Sequence, residues 1–168
     1  MYKSKKINFI GSFKLSIPFV PTPIEVVKKM VELANPKPNE LLMDLGCGDG
    51  RIIRYASKEY GCKSIGIEIN PLLINYTNKK IIEEKINNAK IIHGDLFNYD
   101  FNKANILTLY LTSKAIEFLK PKLMQMLLNG SRIICHDFPI KDLKPKIIEE
   151  VKIKYSPRIH RVYLYEIP

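Results

Sequence analysis

No stretch of this 168-residue chain approaches the ~18 consecutive apolar residues that a spanning helix needs. The first twenty residues, Met1–Val20, are basic and then mildly apolar. Lys14 interrupts the apolar run and no small-residue cleavage site follows, so the segment reads poorly as a secretory signal. The cytoplasm is the expected compartment, with no membrane partner. Cysteine is scarce: Cys47, Cys62 and Cys135 are odd in number and lack CxxC spacing, which argues against a disulfide framework and a structural zinc site. His93, His136 and His160 fall in no HxxxH or HExxH pattern, so no metal is expected. Arginine is also scarce, supplying five of the 27 basic residues behind a net charge of +10. Arginine is the better reader of phosphate and base edges. No RNA-recognition signature and no aromatic-basic interleaving accompany the charge. The charge is therefore read first as a lysine-rich solvated exterior, of the kind common in hyperthermophile proteins. Nucleic acid is the less favoured partner. Internal repeats are absent, and the length fits one domain able to bury roughly 70% of its unfolded surface.

What is present is an alternation of helix-like and strand-like segments. Thr22-Pro23 opens a helix, with Thr22 as N-cap and Glu25 three residues on, close to a capping box. Ile24, Val27, Met30, Val31 and Ala34 give that helix an apolar face, and Asn35-Pro36 stops it. Strands are expected at 41–45, 63–68, 89–93, 105–110 and 132–135, with helices at 51–59, 71–86 and 113–128 between them. Two β-rich stretches, 147–154 and 161–166, flank Ser156-Pro157 as in a terminal antiparallel hairpin. The predicted fold is α/β and Rossmann-like: a mostly parallel twisted sheet, helices on both faces and a C-terminal antiparallel strand pair. Residues 1–22 form an entry segment or lid, and 23–168 one domain.

Ligands of such sheets sit at the C-terminal strand ends near the switch point. That rule selects Asp44–Gly50, Glu68–Asn70, Gly94–Leu96 and Tyr110–Leu111. Gly46-Cys47-Gly48-Asp49-Gly50 lies between a strand and a helix, where glycines permit a sharp turn and close backbone approach. Glu68 ends the second strand, placed to accept hydrogen bonds from two ribose hydroxyls. Loop and acid together indicate an adenosine-containing cofactor. Asp44 and Asp49 would repel the diphosphate of NAD but attract the ammonium and sulfonium of S-adenosylmethionine. The spacing is GxGxG rather than GxGxxG, and GK[ST] is missing, which excludes a P-loop. Asp95 is placed to hold the adenine amino group, with Leu96 on the ring, or else to form a turn. Tyr110 ends the fourth strand, where the methyl acceptor should arrive. The Asn/Asp-Pro-Pro-Tyr motif of enzymes that methylate planar nitrogens is lacking there. His136-Asp137 invites an acid–base pair, but neighbours on an extended strand point to opposite faces. A loop-shaping or peripheral role is expected for them.

Further motifs recur in one order: Pro18-Phe19-Val20-Pro21-Thr22-Pro23, Asp44 to Arg51, Gly66-Ile67-Glu68-Ile69-Asn70-Pro71, Leu109-Tyr110-Leu111, Leu119 to Leu123 and Gly130 to Phe138. In these blocks, which span about residues 18–167, the chain resembles archaeal broad-specificity protein-lysine methyltransferases. These are similar to the mitochondrial enzymes that methylate the ATP synthase c-subunit. The glycine loop is common to most methyltransferases; the Val-Pro-Thr-Pro and Arg-Ile-Ile-Cys-His-Asp-Phe blocks are narrower signals. The mitochondrial relatives carry a membrane anchor, and none is seen here. The resemblance implies S-adenosylmethionine as cofactor and exposed protein lysines as acceptors; a monomer is expected, and the basic surface makes RNA methylation the alternative function. The expected cofactor contacts are Thr22, Asp44, Gly46, Cys47, Gly48, Asp49, Gly50, Glu68, Ile69, Asn70, Asp95 and Leu96. Tyr110 would orient the amine, and Phe19, Val20, Pro21 and Leu111 would line the lysine channel.

Overall fold

A computed structural model describes residues 17–168. The part of the entry segment before residue 17 lies outside the described residues. Seven strands form one sheet: β1 (Leu41–Leu45), β2 (Lys63–Glu68), β3 (Ala89–His93), β4 (Ile106–Leu109), β5 (Arg132–His136), β6 (Ile147–Lys152) and β7 (Ile159–Glu166). Four helices pack around it: α1 (Ile24–Ala34), α2 (Arg51–Tyr60), α3 (Pro71–Glu83) and α4 (Ser113–Met126). The spatial order is β3-β2-β1-β4-β5-β7-β6. The first five strands run parallel, while β7 pairs antiparallel with both β5 and β6. The expected fold class is therefore the observed one. The strand order reverses between β1 and β4, so a crevice opens beyond Leu45 and Leu109.

Alternation along the strands divides the core between the two faces. Leu42, Ile106, Ile134 and Leu164 pack with α1 and α2 residues such as Val27 and Ile53. Met43, Leu107, Ile133 and Tyr165 pack on the other face with Ile116 and Leu119 of α4. Among the described residues no helix is long and apolar enough to cross a membrane.

Local chemistry sets most helix ends. Asn70 accepts a hydrogen bond from the Leu72 N–H ahead of Pro71, and Thr112 accepts one from the Ala115 N–H. The expected cap at Thr22 is corrected: Pro23 is the N-cap of α1 and no side chain caps that helix. The Thr22 hydroxyl instead lies 3.4 Å from Nδ1 of His136, 114 residues away. The helix expected to reach residue 86 ends at Glu83, because Lys85 turns left-handed at φ 55°.

Candidate methyl-transfer site

The tips of β1 and β2 are tied together through main-chain and carboxylate hydrogen bonds. The N–H groups of Gly46 and Cys47 donate to the Ile67 carbonyl at 2.9 and 3.0 Å. Glu68 then gathers three more donors: Gly48 N on Oε2, and Ile69 N and Asn70 N on Oε1, each at 2.9 Å. Glu68 thus pins the glycine loop to the start of α3. A carboxylate offers about four lone-pair sites, so one remains free for a ligand hydroxyl unless the Gly48 bond is exchanged. Gly48 adopts φ 57°, and a Cβ there would lie 2.4 Å from the Phe19 ring. The loop therefore needs glycine at this position, for its conformation and for the aromatic side chain covering it. Thr77 of α3 supports the loop from beneath, donating to the Gly48 carbonyl at 3.3 Å. Nothing in the sequence singles out Thr77, because it is one small residue on a helix face.

The charges of the loop differ from one another in their surroundings. Asp44 is buried on β1 and accepts from the Thr108 hydroxyl at 2.7 Å. Burial pushes its pKa to about 7, with Glu68 and Asp49 adding to the rise. Asp49 is paired with the Arg51 guanidinium, whose Nε stands 2.9 Å from Oδ1. The same guanidinium donates to the Thr22 carbonyl at 2.7 Å, clamping the entry segment onto the loop. The negative charge left for a cationic ligand accordingly comes from Asp44 and Glu68 more than from Asp49. That surplus fits a sulfonium nucleoside and opposes a diphosphate.

The other expected residues spread around this centre. Leu96 and Leu111 flank Gly46; Leu111 is buried in the core and Leu96 packs partly buried against it. Asp95 forms an Asx turn, its Oδ1 accepting from Phe97 N and its Oδ2 from Asn98 Nδ2. Cys47 is buried, and burial lifts its thiol pKa well above the ordinary value, which leaves it inert. Phe19, Val20 and Pro21 lie exposed at the rim. Tyr110 is half-buried and packs against His136, ring centroids 3.9 Å apart and the planes tilted by 33°. Burial, and then the Asp137 charge, raises the Tyr110 pKa, so the phenol keeps its proton at neutral pH.

His136 and Asp137 correct the expectation drawn from strand geometry. Asp137 has φ 60°, so the chain leaves β5 in a left-handed turn that swings its carboxylate back toward its neighbour. Oδ2 of Asp137 lies 3.4 Å from Nε2 of His136 and 3.0 Å from Nδ1 of His160. His160 is brought there by the antiparallel pairing of β5 with β7.

A family model described as the ANTKMT methyltransferase domain matches residues 44–147. The chain belongs to this family. This ANTKMT-type methyltransferase is 38% identical over 158 residues to a protein-lysine N-methyltransferase of Saccharolobus islandicus, covering 93% of the chain and 97% of the relative. It is 29% identical to the human lysine N-methyltransferase of the ATP synthase c-subunit over 79% of the chain, and spans only 56% of that enzyme. A crystal structure of an RNA methyltransferase from Salinibacter ruber, in complex with S-adenosyl-L-homocysteine, superposes with a TM-score of 0.81 at 35% identity, covering 89% of the chain and 94% of the other. TrmN from Thermus thermophilus shares the fold with a TM-score of 0.72 at 12% identity.

Proposed function

We propose that this methyltransferase uses S-adenosylmethionine to methylate the side-chain amine of protein lysines. The 38% identity to a protein-lysine N-methyltransferase, over nearly the full length of both chains, carries this reading. When bound, the cofactor supplies an electrophilic methyl group. The protein's own work is binding and alignment. Glu68 and the glycine loop hold the nucleoside, Asp44 offsets positive charge, and Phe19 with Thr22 closes the entry side. Pro18, Pro21 and Pro23 stiffen that edge.

A free lysine at pKa ≈ 10.4 must lose a proton before it can attack, costing about 4.6 kcal/mol at pH 7. A nearby positive charge and an apolar channel both lower that cost. The proton leaves to solvent, and no strong general base is needed. Tyr110, protonated and fixed against His136, orients the amine through its hydroxyl. Alignment of the two reactants as a whole is worth about 7–11 kcal/mol, of which Tyr110 supplies a part. Residues 1–22 act as the entry segment and 23–168 as the catalytic domain, working as a monomer in the cytoplasm on proteins with exposed lysines.

A second reading is RNA methylation, favoured by the +10 charge and by the likeness to the Salinibacter ruber RNA methyltransferase. Incubating the enzyme and labelled donor with protein extract and, separately, with total RNA distinguishes the two. Label on lysines, located by mass spectrometry, is expected. Label on RNA alone overturns the proposal.

A further inference from the structure

The three polar side chains at the junction of β5 and β7 converge on one point. Nε2 of His136 lies 2.9 Å from Nδ1 of His160, and that nitrogen lies 3.0 Å from Oδ2 of Asp137. The third side of the triangle, His136 Nε2 to Asp137 Oδ2, is 3.4 Å. Both histidines are buried, with no more than 5% of either exposed.

Arg158 donates to Oδ2 of Asp137, and one hydrogen serves the two facing ring nitrogens. With Nδ1 of His160 protonated, its N–H donates to Asp137 and leaves only the same hydrogen for His136. A second proton, on Nε2 of His136, would set two N–H groups head to head at 2.9 Å. A cation in place of the shared proton satisfies all three atoms at once.

We infer that His136, Asp137 and His160 form a binding site for one divalent transition-metal ion of the zinc type, beside the acceptor side of the methyl-transfer site. Nitrogen and oxygen ligands ~2.0–2.2 Å from zinc stand roughly 3.3–3.6 Å apart at the tetrahedral angle and nearer 2.9 Å at smaller angles. The observed triangle needs little movement to meet that requirement. Two histidines with one carboxylate also suit this class of ion chemically.

The surrounding groups are those expected around metal ligands. Nδ1 of His136, its other ring nitrogen, is 3.4 Å from the Thr22 hydroxyl. Oδ1 of Asp137 accepts from the Arg161 N–H at 2.9 Å, which leaves Oδ2 for the cluster. The Arg158 guanidinium also donates to Oδ2, from a side chain 56% exposed that can stay as an outer partner or swing aside. A cleft of about 240 Å³, lined by Asp137, Phe138, Arg158, Ile159 and Arg161, lies beside the cluster on the Asp137 side. The Tyr110 ring packs against one ligand, His136, and the Thr22 hydroxyl meets the other side of the His136 ring, so the ion would stiffen the surroundings of both.

The test uses zinc and cobalt chlorides with the chelator-treated full chain. Calorimetry should show one Zn²⁺ per chain. His160→Gln and Asp137→Asn, checked for folding by circular dichroism, should each weaken uptake by more than about 100-fold, the upper end seen for outer partners. His93→Ala should leave it unchanged. In the unaltered protein, one equivalent of Zn²⁺ should shift the ring resonances of two of the three histidines, a reading that needs no variant. Co²⁺ should give visible d–d bands without thiolate charge transfer. Absence of stoichiometric uptake, uptake that folded ligand variants keep, unshifted histidine rings or a thiolate spectrum would each overturn the inference.

Discussion

Asp44 offers the sharpest physical test of the site. Its carboxyl is buried on β1, and its pKa stands at about 7 against an ordinary 3.8. A carboxyl raised in the folded state stabilises the fold while protonated. That contribution is complete below about pH 3.8, declines as pH rises and is lost above about 7. The shift of ~3 units corresponds to about 4 kcal/mol, at ~1.4 kcal/mol for each unit. Asp44→Asn removes the titration while its amide oxygen still accepts from Thr108. Its amide N–H₂ gains no evident partner, which costs roughly 1–3 kcal/mol. Relative to wild type, the variant should therefore gain stability by ~1.4 kcal/mol per pH unit between about pH 4 and 7, overtaking wild type at about pH 4.5–6 and keeping its lead above 7. Urea unfolding of both proteins across that range measures the difference directly. Parallel pH profiles would mean that Asp44 does not titrate in that range. Function should move the other way. A cationic donor favours ionised Asp44, so donor affinity should rise with pH through about 7 in wild type and be weaker and flat in Asp44→Asn, as read by calorimetry.

Glu68→Gln swaps an acceptor for a donor facing either Gly48 N or the Ile69 and Asn70 N–H groups. Losing one charge-assisted bond of ~1.5–3 kcal/mol should weaken donor binding by about 10- to 150-fold in calorimetry; near wild-type affinity would remove Glu68 from the site. Tyr110→Phe should cut turnover by roughly 10- to 100-fold, on the scale of one aligned hydrogen bond, and leave donor affinity within about twofold. Unchanged turnover would make Tyr110 packing alone. Gly48→Ala should cost about 1–2 kcal/mol in urea unfolding, because alanine must hold φ 57° and the Phe19 ring must move aside. Unaltered stability would show that the loop relaxes freely.

Periodicity and punctuation in the sequence carry the fold. Apolar runs such as Leu41–Leu45 mark strands buried on both faces, and the alternation with helices leaves few topologies. Asp44, the glycine loop and Glu68 were legible because chain order alone places them at adjacent strand tips. What each one does there was not. The pairing of Asp49 with Arg51 and the support of the loop by Thr77 depend on where α2 and α3 settle. Thr22 read as a helix cap, because local spacing says nothing of a histidine 114 positions away. The meeting of His136, Asp137 and His160 depends on a positive φ at Asp137 and on the register of β7 against β5. Sequence spacing records neighbours along the chain. Side chains that meet through a backbone reversal and an antiparallel return are neighbours only in three dimensions, so packing alone determines their chemistry.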